Sequence, residues 1–423
     1  MRKRSLFLLA LAAAVSGAVV FAGGRREAVD HNTVTLGYNP FLSDSFTDAP
    51  APIDVIREEL ARRYPDLTLE YHTMPQDMLD SLVIWMTSQD ATVDIFGMDV
   101  PWATQFGRAR WALPLNEHLP DLDQRITPAG LETFSYEGQW LAVPFWGSLT
   151  GLYYRTDILE EFGFEAPESV SEMVEIIRTV RAERSELAGL LWPGDRGDSL
   201  VMLYATLLYA FGGEYTDAEG NYRFDSPESI RAVQFLRDTI TEGLSPEAVQ
   251  IWERRESRQR FVSGDAIFSW DNHDIIVFLD DPEQSEVVGV WDFIPFPAEP
   301  EGQSVAVTGG FGFAVNPFSS KRESAIKVMD VIASEAVQRG FALAWGPVQQ
   351  YIGLYDDPVV QRYNPNSEKL GPLVEIALNR PPSENYAELS GLLQEELNAA
   401  ITGTRPVSQA LANMQRRATA LKR

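Results

Sequence analysis

The early part of the chain alternates between short apolar runs and amphipathic stretches. Apolar side chains concentrate in residues 33–38, 67–72 and 93–98, and each run predicts a buried strand. Between them, residues 53–64 and 76–88 carry apolar positions at helical spacing. Strands that alternate with helices in this way predict a mainly parallel, doubly wound α/β sheet.

A second α/β unit follows from about residue 151, after an apolar strand at residues 140–144. Beyond this unit, the pattern predicts a strand at residues 305–315 and a helix at residues 324–345. The predicted strands of the second unit itself cover residues 152–155 and 266–270, and its predicted helices cover residues 157–162, 169–184, 199–211, 227–242 and 247–262. Ser169 is a good N-cap for the second of these helices. Two such units joined by several chain crossings would leave a cleft between them.

Residues 1–22 have the pattern of a secretory signal peptide. A cluster of three basic residues precedes an apolar run at residues 6–20, and cleavage after Ala22 would leave small residues at the recognised positions. An uncleaved membrane anchor is the alternative, because the apolar run is long for a signal peptide. We therefore expect a protein that is exported to the periplasm or the extracellular space.

The composition excludes several kinds of chemistry. The chain has no cysteine, which rules out thiol catalysis and a cysteine-ligated metal. Its four histidines are scattered without metal-ligand spacing, so we expect no metal and no cofactor. A formal net charge of −26 repels phosphate backbones, and nucleic-acid binding is therefore not expected.

Asp99 and Trp102 leave the end of the third predicted strand together. Loops at the carboxyl ends of strands in open α/β sheets are frequent ligand sites. A carboxylate accepts hydrogen bonds from two hydroxyl groups, and an indole covers apolar C–H surface, so this pair suits a sugar ring. The alternatives are that Asp99 caps the following helix and that Trp102 only packs in the core.

Seven segments spread over the whole mature chain resemble one known family. In chain order they are DIFGMDVPW, WALPLNEHL, AVPFWGSLTGLYYRTDILEEFGF, LLWPGDRGDSL, FVSGDAIFSWDN, TGGFGFAVNPFSS and RPPSENYAELSGLLQEELNAAITG. In this order they resemble the extracellular solute-binding proteins of sugar ABC importers, especially the trehalose/maltose-binding type.

The resemblance implies an α/β fold of the type II periplasmic-binding-protein kind, with two lobes that are joined by a hinge and close on one sugar. Each lobe would hold a mainly parallel sheet flanked by helices. Residues 30–145 and about 305–348 would form the first lobe, and residues 146–304 and about 349–423 the second. It also implies a membrane permease as partner, a monomer, and no enzymatic activity.

The resemblance also assigns aromatic residues to the cleft. Trp270 stands where related proteins stack an aromatic ring on the sugar face, with Asp271 beside it; packing between the lobes is the alternative for Trp270. Trp146 keeps the aromatic residue that relatives place after the first crossing. Ser148 replaces their nearby acidic residue, which suggests a different sugar.

Further cleft residues follow from the same resemblance. Gly310 would let the backbone approach a ligand, and Phe311 takes a position where relatives often have Trp; a strand bulge with a core Phe is the alternative. Asp198 stands in place of a Glu, or caps the helix that follows. Gln349 or its neighbour Gln350 stands near a position where an Arg commonly grips the sugar. Tyr38 would contribute from the opposite wall.

Two other functions stay open at this stage. A secreted glycoside hydrolase would need two carboxylates that face each other across the cleft, and Asp99 with Asp198 or Asp271 would fit that requirement. A solute-binding protein for a polyol or glycerol phosphate is the other alternative. The favoured interpretation is a binding protein that captures a di- or oligosaccharide and delivers it to a permease.

Overall fold

The computed structural model describes residues 30–75, 78–300, 302–346, 348, 350–363, 367–370, 373, 376–380 and 383–422. The predicted signal peptide, residues 1–22, lies outside the described residues. Within the described part of the chain, no helix has the length and hydropathy that a membrane crossing needs.

Eleven strands are described, nine of them in one mixed sheet. In chain order they are β1 (Thr33–Tyr38), β2 (Thr68–Thr73), β3 (Ile95–Asp99), β4 (Ser135–Tyr136), β5 (Gln139–Trp140), β6 (Val143–Arg155), β7 (Ala188–Leu191), β8 (Ala266–Asn272), β9 (Trp291–Ile294), β10 (Ala306–Val315) and β11 (Ala377–Leu378). The main path through the sheet is β2-β1-β3-β10-β6-β8-β7. The outer pairs β1–β2, β1–β3 and β7–β8 are parallel, whereas β10 and β6 run antiparallel to their neighbours on this path.

Helices flank this sheet. They are α1 (Pro52–Arg63), α2 (Leu79–Thr87), α3 (Ala103–Ala109), α4 (Leu122–Arg125), α5 (Pro128–Thr133), α6 (Thr156–Phe162), α7 (Val170–Glu183), α8 (Asp198–Ala210), α9 (Pro227–Thr241), α10 (Arg254–Val262), α11 (Ile276–Leu279), α12 (Arg322–Ile332), α13 (Glu335–Trp345), α14 (Pro358–Tyr363), α15 (Tyr386–Ile401) and α16 (Val407–Leu421). The predicted α/β fold class is confirmed.

Most predicted elements are present, with two instructive differences. The Ser169 side chain caps α7 as expected, accepting a hydrogen bond from the backbone N–H of Glu172 at 3.1 Å. The two strands predicted at residues 140–144 and 152–155 belong largely to one strand, β6, because the intervening residues continue the pairing with β10 and β8. The helix predicted at residues 324–345 is two helices separated at Ser334, which is the N-cap residue of α13.

Two large clusters of buried apolar side chains are present among the described residues. The first core includes β1, β3 and α13, and the second core includes α8, α9 and much of α15. We call the parts that pack around them the first lobe and the second lobe. The largely apolar character of α8 after its first turn follows from its place in the second core, where ten of its residues are buried.

Strands β6 and β10 connect the two lobes. Val143 of β6 and Phe313 of β10 lie in the first core, whereas Leu152 of β6 and Val307 of β10 lie in the second. Each strand therefore passes from one core to the other. Val307 packs in the second core, although the predicted boundaries assign it to the first lobe.

His273 links β6 to the end of α13. Its Nδ1 accepts a hydrogen bond from the Leu149 N–H of β6 at 3.2 Å, which leaves Nε2 to donate to the carbonyl of Gly346, also at 3.2 Å. Burial lowers the pKa of His273 to about 4, so the neutral ring that this geometry needs is the stable form. The chain after Gly346 then pairs with β6, where the Val348 N–H donates to the Gly147 carbonyl at 3.0 Å.

Gly310 occupies the tightest position in β10. Its φ is +155°, and a Cβ at this position would lie 2.4 Å from the carbonyl oxygen of Trp146. The pairing of β10 with β6 is irregular at the next step, between Phe311 and Gly312. The close approach of two strands is therefore enough to require a glycine at position 310, and the approach of a ligand to Gly310 stays a prediction.

We predict that Gly310→Ala lowers the free energy of unfolding by about 2–4 kcal/mol, because the added methyl group collides with backbone. Gly391→Ala on α15 is the matched control, since a Cβ there would meet no atom within 4 Å. The control should be neutral or stabilising by up to about 1 kcal/mol. Chemical denaturation measures both values, and equal stability of the two variants would contradict the prediction.

Candidate functional site

Three residues on adjacent strands form one row across the centre of the sheet. Asp99 at the end of β3 is the direct partner of Phe311 on β10, and Phe311 is the direct partner of Trp146 on β6. Directly opposed residues project from the same face of a sheet. All three are partly exposed, whereas most of their neighbours along the strands are buried. The row therefore forms an accessible floor where the lobes meet.

Tyr38 and Trp102 support the central ring of this row. The Phe311 ring meets the Tyr38 ring edge-on at 5.5 Å and the Trp102 ring edge-on at 6.3 Å between centroids. Trp102 also stacks on Phe106 at 6.1 Å, and both supporting rings are buried. For Trp102, the structure agrees with the alternative that its ring packs in the core. Tyr38 lies behind Phe311 and does not line an open wall of the cleft.

Trp146 and Ser148 lie on the same face of β6, two residues apart. The Trp146 ring packs against Trp345 at 5.1 Å between centroids. Ser148 is buried opposite Gly309, where a Cβ would come within 2.7 Å of its hydroxyl oxygen. Trp146 is therefore the more accessible of the two.

A buried arginine lies at the centre of the polar part of the site. Arg380 donates from Nη1 to the Asp198 carboxylate and, at 2.8 Å, to the hydroxyl oxygen of Tyr386. Asp198 also accepts hydrogen bonds from the Tyr386 hydroxyl at 2.8 Å and from the Ser390 hydroxyl at 3.0 Å. Asp198, in the first turn of α8, is thus fixed by side chains near or within α15.

Asp99 reaches the same arginine from the first lobe. Its Oδ1 lies 3.8 Å from Nη2 of Arg380, and its side chain is 14% exposed. Asp99 occupies the N-cap position of the short helix Val100–Trp102, but its side chain makes no capping hydrogen bond there. Burial raises the pKa of Asp99 to about 7; the positive charge of Arg380 opposes this shift and the charge of Asp198 reinforces it.

Trp270 and Asp271 do not lie at this floor, which corrects the position expected from the sequence. Trp270 is fully buried in the second core, and its indole N–H faces the Thr206 hydroxyl at 3.3 Å. Asp271 is fully buried and paired with Arg258, whose Nη2 lies 2.7 Å from Oδ1. Arg258 also binds Asp274 at 2.9 Å, so Asp271 belongs to an internal ion-pair cluster.

The last predicted site position is Gln349, with its neighbour Gln350 as the alternative. Gln349 lies outside the described residues. Gln350 is described, and its Nε2 donates to the Val348 carbonyl at 3.2 Å beside Gly147. The structure thus brings Asp99, Asp198, Phe311 and Trp146 to the region between the lobes.

Arg380 and Tyr386 were not predicted as site residues from the sequence. Both lie in the segment RPPSENYAELSG, which contributed to the family resemblance without any residue being singled out. A signal was present, because an arginine before two prolines cannot be part of a helix interior and must find its partners from a loop. No pattern in the sequence connects it to Asp99 or Asp198, which are far away along the chain.

Comparisons with known proteins agree on one family. The family model for bacterial extracellular solute-binding proteins matches residues 43–339. A probable ABC transporter-binding protein of Deinococcus radiodurans is 24% identical over 342 residues, which cover 76% of this chain and 78% of that protein. A mannitol-binding protein of Pseudomonas aeruginosa is 23% identical and is matched over 83% of this chain and 86% of its own length.

Solved structures show the same likeness in three dimensions. A maltose-bound protein of T. maritima superposes with a TM-score of 0.82 at 26% identity, covering 92% of this chain and 99% of that one. A solute-binding protein of Agrobacterium radiobacter in complex with ribitol gives a TM-score of 0.81 at 21% identity, covering 92% and 98%.

The raised pKa of Asp99 predicts a specific pH dependence of stability. Between the ordinary value of 3.8 and about 7, the folded protein holds a proton that the unfolded chain has released. The stabilisation is complete below pH 3.8 and is lost as the pH rises through about 7. The free energy of unfolding should fall over this range by at most about 4 kcal/mol relative to Asp99→Asn.

Chemical denaturation of both proteins from pH 4 to pH 8 measures this difference. Asp54→Asn on α1, where the side chain is 67% exposed, is the control and should keep the wild-type profile. A wild-type profile that parallels that of Asp99→Asn would show that Asp99 is not perturbed.

Proposed function

The chain belongs to the family of bacterial extracellular solute-binding proteins, and on that premise we propose that it is the substrate-binding component of an ABC importer. It captures a sugar or polyol between its two lobes and delivers it to a membrane permease. The choice of ligand is based on the row of Asp99, Phe311 and Trp146, which lies where the two lobes meet.

The chemistry of this row suits a hydroxyl-rich solute. The Phe311 and Trp146 rings offer apolar faces for the C–H surface of a sugar. The Asp99 carboxylate accepts hydrogen bonds from hydroxyl groups, and such bonds to a charged acceptor are strong in a site shielded from water. Apolar faces combined with a few fixed polar groups are typical of small-molecule sites.

The charges around the floor favour a neutral ligand. Asp99 and Asp198 place two carboxylates around the guanidinium of Arg380. An added phosphate at this guanidinium would therefore lie close to two acidic side chains, which disfavours an anionic ligand. This supports a sugar or polyol over glycerol phosphate. The relative named for mannitol and the structures bound to maltose and ribitol also support a sugar or polyol.

We further propose that the ligand is a di- or oligosaccharide of the kind that trehalose/maltose-binding proteins take. The protein works as an exported monomer whose lobes close by bending where β6 and β10 cross between them. Binding alone suffices for this role, and the protein performs no covalent chemistry on the sugar.

Incubation with maltose, trehalose and maltotriose should therefore yield no hydrolysis products.

We predict that a thermal-shift screen identifies a sugar or polyol that raises the melting temperature by several degrees. A ligand that binds only the folded protein at 100 times its Kd stabilises it by about 2.7 kcal/mol. Maltose, trehalose, D-mannitol and ribitol form the first panel, with glycerol 3-phosphate and glycine as controls. A shift with glycerol 3-phosphate alone would contradict the neutral-ligand proposal.

We also predict that Phe311→Ala weakens binding of the best solute from that panel roughly tenfold, because a stacking face is lost. Trp270→Phe should lower stability yet change affinity less than about twofold, since that ring lies in the second core. Isothermal titration calorimetry on both variants measures the two effects. The reverse order of affinities would restore Trp270 as the stacking residue.

A further inference from the structure

The two lobes touch along one side of the cleft through α3 and the start of α15. Arg108 of α3 forms an ion pair with Glu384, and both side chains are about half exposed. Gln105, one turn earlier on the same helix, accepts a hydrogen bond on Oε1 from the backbone N–H of Ala387 at 3.1 Å. Residues three apart project from the same helix face, so Gln105 and Arg108 act on one partner surface.

The Gln105 side chain supplies a hydrogen-bond acceptor at the N-terminus of α15. The first N–H groups of a helix have no partner within the helix and need an acceptor from elsewhere. The N-cap residue of α15, Asn385, supplies no side-chain hydrogen bond. Gln105 provides the acceptor from the opposite lobe, and separation of the lobes would remove it.

Tyr386 strengthens the same contact by packing. Although α15 belongs mainly to the second core, the Tyr386 ring is 3% exposed and packs with the first core. Ala387 also contacts the first core. This apolar contact lies beside the Arg108–Glu384 ion pair, at the rim of the region that holds Asp99 and Arg380.

We propose that Gln105 and Arg108, with Ala387 and Glu384, form a latch that stabilises the closed arrangement of the lobes and so sets ligand affinity without touching the ligand. The affinity part of this proposal rests on the proposed function. A protein that binds its solute only when closed has an apparent affinity equal to the intrinsic affinity multiplied by the fraction of molecules that are closed. Contacts that exist only between closed lobes therefore act on affinity through this fraction.

The experiment measures closure directly. The chain has no cysteine, so Glu117→Cys on the first lobe and Glu175→Cys on the second give a uniquely spin-labelled protein. Pulsed electron paramagnetic resonance then gives the distribution of distances between the labels, first without solute and then with maltose or D-mannitol. Arg108→Ala should lower the closed-to-open ratio about 1.5- to 5-fold, the range for exposed ion pairs. Gln105→Ala should lower it about fivefold, as loss of a helix cap does.

The controls separate a latch from a general loss of stability. Arg178 and Glu242 form an ion pair of similar exposure, 59% and 45%, within the second lobe. Arg178→Ala should leave the closed-to-open ratio unchanged. The charge exchange Arg108→Glu with Glu384→Arg should restore the ratio to within about twofold of the wild-type value.

The outcomes distinguish the latch from the proposed function. An unchanged ratio in Gln105→Ala and Arg108→Ala, or an equal fall in Arg178→Ala, overturns the latch. Failure of maltose and D-mannitol to change the wild-type distances counts against the proposed ligands and leaves the solute-free comparison of variants as the test of the latch. Where a solute binds, its Kd should rise in the two latch variants by the same factor as the closed fraction falls.

Discussion

The antiparallel pairing of β6 with β10 is the constraint on which the rest of the structure depends. These two strands are long enough for each to contribute to both hydrophobic cores, so the lobes share one sheet. The register between them places Phe311 opposite Trp146, and the pairing of β10 with β3 adds Asp99 to the same row. The connection between the lobes and the proposed binding floor are thus made by the same strand pairing.

Electrostatics at this floor couple the two lobes. Arg380 is buried, and its charge is tolerated because its Nη1 donates to the Asp198 carboxylate and to the Tyr386 hydroxyl oxygen, while the Ser390 hydroxyl donates to Asp198. Asp99 shares the same guanidinium at a longer distance, and its burial keeps its pKa near 7. A hydroxyl-rich solute would supply Asp99 with the hydrogen bonds that the protein alone does not provide. Ligand capture and closure would then reinforce each other.

The sequence was sufficient for the fold and for part of the site. Periodicity located helices such as α7, which bury one face, and short apolar runs located strands such as β8, which are buried on both faces. It placed Asp99 at the end of β3, where the structure has it, whereas Phe311 and Trp146 lie inside β10 and β6, and their contact with a ligand stays a prediction. Trp270 and Asp271 were misplaced because a Trp and an Asp at a strand end look the same whether they face a cleft or a core. Arg380 was missed because its partners come together only in the folded chain.

The account is tested most directly by a crystal structure of the protein with the solute that stabilises it most. We expect the solute to lie between the lobes, with its C–H face against the Phe311 or Trp146 ring and a hydroxyl group within hydrogen-bonding distance of Asp99. A solute bound elsewhere, or one in the cleft that contacts none of these three residues, would contradict the central claim.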